Sequence, residues 1–339
     1  LNMYEDYPFW FTFFTVLGYE VVLSGESSAQ LYYKGMSTVP SDSLCYPAKL
    51  VHGHIMDLIE KGIKTIFYPC IPSNIVDEID KGDSNYNCPV VASYAENIRA
   101  NMDILQKKNI KFLQPFLPIN DKKRMYIRLT EELKELSCAK KDIREALENA
   151  YEALGHYKQD VRDYGVAVLE KVEKEHMKAV VLCGRPYHID PEINHGIPKM
   201  IQNYGIAVLS EDALAHLPVE DENLSIVNQW VYHARLYHAA EYVAEHPKLT
   251  LIQLSSFGCG LDAITTGQVK EILERRNCIY TMIKLDEVSN LGSARIRLRS
   301  LKAAMLEREK NNIQLKKTDN KYKKIPFTRE MRKNYTILA

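Results

Sequence analysis

Four cysteines stand where strands and helices are expected to meet, and thiols so placed can serve as nucleophiles or as ligands for soft metals. Cys259 lies in Ser255-Ser256-Phe257-Gly258-Cys259-Gly260-Leu261-Asp262, after the apolar run 249–254 and before a helical pattern reaching about Arg276. The flanking glycines let the backbone turn sharply and approach a ligand closely. The amino end of the following helix favours negative charge, the form a sulfur takes when it binds metal. Cys45 follows Pro40-Ser41-Asp42-Ser43 and precedes a helix carrying Leu50, Ile55, Leu58 and Ile59. Cys70 follows the strand pattern 65–68, and Cys88 opens Cys88-Pro89-Val90-Val91.

Three arrangements are compatible with these positions. Cys45, Cys70 and Cys259 could hold an iron–sulfur cluster with one iron left open, which could act as a Lewis acid as well as an electron carrier. Cys88 could add a fourth ligand and close the cluster for electron transfer alone. All seven cysteines could equally be reduced thiols without a cofactor. No CxxC pair is present, so a zinc ribbon is not expected, and a disulfide framework does not suit this length and composition. Cys138 lies in a charged stretch and reads as inert.

Other candidates carry less. Arg185 and His188, in Gly184-Arg185-Pro186-Tyr187-His188, follow a strand and could bind an anionic cofactor group. Arg295, Arg297 and Arg299 could meet phosphates, or simply be solvated. His52 and His54 are two apart on one helix and cannot share a face. No phosphate-binding P-loop occurs, and neither a Ser-His-Asp set nor an HExxH motif can be picked out.

The elements that must position these groups alternate. Helix is expected over 8–17, strand over 19–23, strand over 65–68 and helix from 93 towards 105. Residues 121–178 read as one or two long charged helices with an apolar stripe at helical spacing. Strands at 179–182, 206–209, 249–254 and 279–285 then alternate with helices near 197–203, 226–245, 261–276 and 295–308. Such alternation implies parallel sheets covered by helices on both faces. We therefore expect an α/β protein of two flavodoxin-like (Rossmann-like) domains, 1–120 and 179–307, joined by a helical connector over 121–178. Residues 308–339 form a basic tail or a linker to a further domain.

The chain has 339 residues and a formal net charge of zero. That balance disfavours broad binding to nucleic acid or anionic membranes. No segment has the length and purity of a membrane-spanning helix, so a cytoplasmic protein is expected.

The motifs around Cys45, Phe67-Tyr68-Pro69-Cys70, Asn87-Cys88-Pro89-Val90-Val91, Gly184 to Pro191 and Phe257-Gly258-Cys259-Gly260 resemble those of acyl-CoA dehydratase activase-related proteins. More distantly, the layout is similar to subunits of 2-hydroxyacyl-CoA dehydratases, benzoyl-CoA reductases and double-cubane cluster proteins. The resemblance implies an iron–sulfur cluster (4Fe-4S or double-cubane) on Cys45, Cys70 and Cys259 at an interdomain face. Cys88 lies outside that family's pattern and is the candidate fourth ligand. It also implies low-potential electrons from an ATP-dependent activase, in the same polypeptide or separate, and reductive or radical chemistry on an acyl-CoA or other small molecule. Ends without an obvious cap fit a piece of a larger polypeptide, and a homodimer is a further expectation. The alternative is a non-catalytic module that docks on or regulates the activase.

Overall fold

A computed structural model describes residues 2–75, 82, 84–136, 138–219, 224–287, 291–313, 315 and 328–333. The first half holds helices α1 (Asn2–Val16), α2 (Ala29–Gly35) and α3 (Tyr46–Glu60), then strand β1 (Thr65–Phe67). Helices α4 (Pro89–Ala92), α5 (Tyr94–Asn101) and α6 (Ile104–Lys107) lead to strand β2 (Lys111–Leu113). Helices α7 (Lys122–Glu132) and α8 (Lys140–Lys174) follow. The second half runs β3 (Ala179–Cys183), α9 (Pro191–Asn194), α10 (Ile197–Gln202), β4 (Ala207–Ser210), α11 (Val231–Glu245), β5 (Leu249–Ser256), α12 (Gly260–Arg275), β6 (Tyr280–Leu285) and α13 (Gly292–Lys310).

The protein is thus mixed α/β with two parallel sheets. The second is a four-stranded parallel sheet in the order β4-β3-β5-β6. Every residue of β5 is buried, as expected of a run covered on both faces. Val181, Leu251 and Cys183 pack on one face against α11 and α12, and Val180, Ile252 and Leu254 on the other against α10 and α13. From β3 the chain moves outward to β4 and then crosses back to β5. The reversal point therefore lies between the carboxyl ends of β3 and β5, where open α/β sheets bind ligands.

The first sheet departs from expectation. Among the described residues it comprises β1 paired in parallel with β2, Ile66 lying opposite Phe112. Residues 19–23 form no strand, although their β-branched composition predicts one: Val22 and Leu23 are each 41% exposed. A strand is stabilised by its cross-strand neighbours, and propensity without a partner does not supply them. Conversely, β2 was not foreseen, because three residues after a helix are too few to display alternation. Helix α11 starts at Val231 rather than Ile226, and α13 continues through Lys310, past the expected start of the tail. Residues 316–327 and 334–339 of that tail lie outside the described residues.

Helix α8, 35 residues long, spans about 50 Å at 1.5 Å per residue. Its first turns (Ile143, Leu147, Leu154) pack with Phe9 and Phe13 of α1, and Val172 packs under the four-stranded sheet. A further core joins the two halves directly, combining Leu31, Tyr46, Leu50, Val91 and Tyr94 with Tyr187, Ile193 and Tyr232. No helix among the described residues is long and apolar enough to cross a membrane.

Helix α1 carries two acids into this interior. Glu5 receives both Arg235 guanidinium nitrogens, at 2.8 and 3.2 Å, and lies 3.7 Å from Lys158. Burial opposes ionisation of Glu5, but those cations hold its carboxyl below the usual range. Asp6 is fully buried, and among the described residues neither carboxylate oxygen has a donor at hydrogen-bond distance. Burial, then the neighbouring Glu5 charge, pushes Asp6 up to about 7 against the pull of Lys158. A raised carboxyl pKa favours the neutral form in the folded state. Its stabilising effect is complete below the ordinary value of about 4 and is lost as pH rises through about 7. Asp6→Asn is accordingly expected to exceed wild type by about 1–3 kcal/mol at pH 8 and to match it near pH 4.5. Urea unfolding across that pH range checks this; parallel wild-type and variant profiles contradict it.

Candidate functional site

At the reversal point, the end of β3 supplies Gly184 and Arg185, and the end of β5 supplies the loop to Cys259. Cys259 is the amino cap of α12, and its Sγ accepts from the Asp262 amide at 3.4 Å. Arg185 Nη2 donates to the same sulfur at 3.4 Å. The same guanidinium pairs with Asp262 and donates to His233 Nε2 at 2.9 Å and to Tyr187 Oη at 3.3 Å. Asp262 is buried, which alone would raise its pKa; the Arg185 charge beside it and the Ser256 amide hold it well below the usual range. Arg185 is thus a buried cation set against the thiol and anchored from behind by a carboxylate.

His188, the other anion-binding candidate, faces inward. Its Nδ1 accepts the Arg185 backbone amide at 2.8 Å, and burial lowers its pKa to about 3, so the ring is neutral. It lies flat on Gly184, where a Cβ would stand 2.1 Å from Nδ1. The ring shapes the loop that presents Arg185.

The other thiols approach from the first half. Cys45 is the amino cap of α3, with Sγ 3.7 Å from Tyr94 Oη; burial pushes its thiol up. The Arg185 guanidinium opposes that rise. Gly258, beside Cys259, approaches the carbonyl of Ser43, two residues before Cys45; a Cβ there would lie 3.6 Å from it. The chain therefore brings Cys45 and Cys259 to a common region from a separation of more than two hundred residues.

Cys70 is buried just beyond β1, its amide bonded to Pro115 O at 2.9 Å. Burial raises its thiol, and the Ala95 and Glu96 amides in the first turn of α5 oppose that rise. Cys88 immediately precedes α4 and packs with Cys45 against the core that joins the halves. Among the described residues, no three His, Cys, Asp or Glu side chains stand close enough together to hold a single metal ion. Each thiolate of an iron–sulfur cubane bonds a different iron, so its ligands stand farther apart than those around one ion.

Sequence reasoning did not assign Asp262 or His233. Asp262 carried a signal, an acid in the first turn of the helix that Cys259 caps. His233 carried none, since it lies on α11, where both faces are buried. Ser27, His54 and Asp190, which the sequence did not connect, also meet. Ser27 Oγ donates to Asp190 Oδ2 and lies 3.2 Å from His54 Nε2, while Tyr4 donates to the same carboxylate oxygen. Asp190 thereby bonds the serine instead of orienting the histidine, and its other oxygen caps α9. This is a latch holding the 24–28 loop, wired unlike a hydrolase triad. His52 is structural too, bonded to Thr38 Oγ1 and Asn97 Oδ1. Arg295, Arg297 and Arg299 are exposed on α13. A cavity of about 70 Å³ beside Cys45, lined by Leu44, Ala48, Val90 and Tyr94 among others, is far smaller than an ordinary small-molecule pocket.

Compared with known proteins, residues 1–214 match the family model described as the CoA enzyme activase uncharacterised domain (DUF2229). No curated protein matches the chain.

Proposed function

The chain belongs to the family of the CoA enzyme activase uncharacterised domain, and on that footing we propose that it is an iron–sulfur redox component served by an ATP-dependent activase. The observation that carries the proposal is the approach of Cys45 and Cys259 across the join between the two halves, with the buried Arg185 set against Cys259. Soft, anionic thiolates are the donors iron–sulfur clusters take, and Cys45, Cys70, Cys88 and Cys259 are the ligand candidates. Among the described residues, Ser255 Oγ, on the strand before Cys259, and Nδ1 of His233, the ring that Arg185 also bonds, are buried without hydrogen-bond partners. Because Nε2 of the neutral His233 accepts from Arg185, Nδ1 carries its proton. Both are therefore donors free to face an anionic group.

Such a cluster, when bound, supplies one-electron transfer at low potential. The chain's own residues hold and tune it. Arg185 sets a fixed positive charge against the Cys259 sulfur, and Asp262 keeps that guanidinium in place. Tyr94 and Tyr187 wall the region from water, being almost wholly buried. Phe257, 63% exposed beside Cys259 and under the Lys284 ammonium, offers a partner an aromatic contact next to the site. An acyl-CoA or another small molecule as final electron acceptor belongs to the same proposal, as does a cytoplasmic setting.

The test is anaerobic purification followed by iron and sulfide assay. Iron and sulfide in near-equal amounts, lost in Cys45→Ala or Cys259→Ala, is the expected result. Metal-free protein that still binds the activase overturns the redox reading in favour of a docking or regulatory module.

A further inference from the structure

We propose that Cys88 is a cluster ligand, completing a four-thiolate set with Cys45, Cys70 and Cys259, so that every iron is held by protein. This deepens the preceding reading and rests on it.

The segment carrying Cys88 is clamped from two directions. Asn87 donates its amide to Pro72 O at 2.8 Å and its side-chain nitrogen to Ile71 O at 2.9 Å. Those acceptors immediately follow Cys70, so the two cysteine-bearing backbones run side by side. On the other side, Tyr86 donates to Gln229 O at 3.0 Å and accepts from Val231 at 3.1 Å. That second clamp ties the segment to the start of α11, the helix that carries His233. Cys88 also packs with Cys45 against one apolar core. It therefore lies beside Cys45, on a segment bonded to the residues that follow Cys70.

Cys45 meets Tyr94, and Cys259 meets Arg185 and the Asp262 amide. Cys88 makes no capping bond to the helix it precedes. A half-buried thiol beside Cys45, on a backbone hydrogen-bonded to two other segments, is held in place for a ligand. Each thiol gives up its proton as its sulfur–iron bond forms. A closed set leaves no iron for substrate, so the site is an electron carrier whose acceptor binds elsewhere.

Two measurements decide this. Wild type, Cys88→Ser and Cys88→Ala are purified anaerobically, and iron content and paramagnetic resonance spectra are recorded before and after mild ferricyanide oxidation. Wild type is expected to keep its iron, and both variants to lose iron and show a three-iron signal. Variants that keep wild-type iron and spectra overturn the inference while leaving the redox reading intact; iron-free wild type overturns both. Metal-free wild type is also treated with dibromobimane, which fluoresces only after bridging two thiols, and the joined peptides are mapped. Cys88 bridged to Cys45 or Cys70 is expected, and Cys45 bridged to Cys70 with Cys88 singly modified overturns the inference.

Discussion

Arg185→Gln is expected to lower the unfolding free energy by about 3–5 kcal/mol, because it strands the Asp262 carboxylate in a buried site. Asp262 keeps the Ser256 amide at 3.0 Å and loses its counter-charge. A buried charge without a partner costs more than the original pair contributed. The matching removal of the acid follows from the same argument. Arg185→Gln combined with Asp262→Asn should recover part of the loss, since neither side then leaves an uncompensated charge. Arg185→Lys should fall between, keeping the charge but unable to reach Cys259, Asp262, His233 and Tyr187 from one planar group. Urea unfolding of wild type, Arg185→Gln, Asp262→Asn, the double variant and Arg185→Lys at pH 7 measures this. Strictly additive single losses would show that Arg185 and Asp262 do not act as a pair.

Gly53→Ala is expected to cost at least about 1–3 kcal/mol, the usual range for overpacking, because the obstacle is backbone rather than a flexible side chain. A Cβ at Gly53 would stand 2.0 Å from the Leu31 carbonyl oxygen, and one at Gly35 would stand 2.3 Å from the Gly53 nitrogen. Helices α2 and α3 therefore cross with their backbones in contact. Relief requires α2 to move, and α2 carries Leu31 and Tyr32 into the core that joins the two halves. Cys45 caps the other helix of this crossing, so separation should also reduce iron uptake. The measurements are the urea midpoint and the iron content of the anaerobically purified variant. Gly155→Ala serves as control, since a Cβ there meets nothing within 4 Å. Equal stability of the two variants would contradict the close crossing.

Much of the second half was legible in the sequence. Its strands are apolar runs separated by helical patterns, and burial of β3 and β5 on both faces leaves an unmistakable trace. The first half was less so. Residues 19–23 have strand composition and no strand partner, whereas β2 has a partner and almost no pattern. Local propensity reports what a segment tolerates, and pairing reports what lies beside it. His188 illustrates the same limit within the site. Its place after a strand pointed to a ligand, yet packing turned the ring onto Gly184 and made it part of the loop.

The sequence by itself determined the α/β alternation, the placement of the candidate thiols at element boundaries, and the Gly-Arg-Pro-Tyr-His and Gly-Cys-Gly turns. Each is a local property, encoded by periodicity and turn chemistry within a few residues. Only the tertiary structure decided that Arg185 reaches Cys259, that Asp262 and His233 brace it, and that Cys88 shares a core with Cys45 while Asn87 bonds the segment following Cys70. Those relations join residues many tens of positions apart. They exist because the β3–β5 reversal and the core shared by the two halves bring distant segments together, and that convergence leaves no periodic mark in the chain.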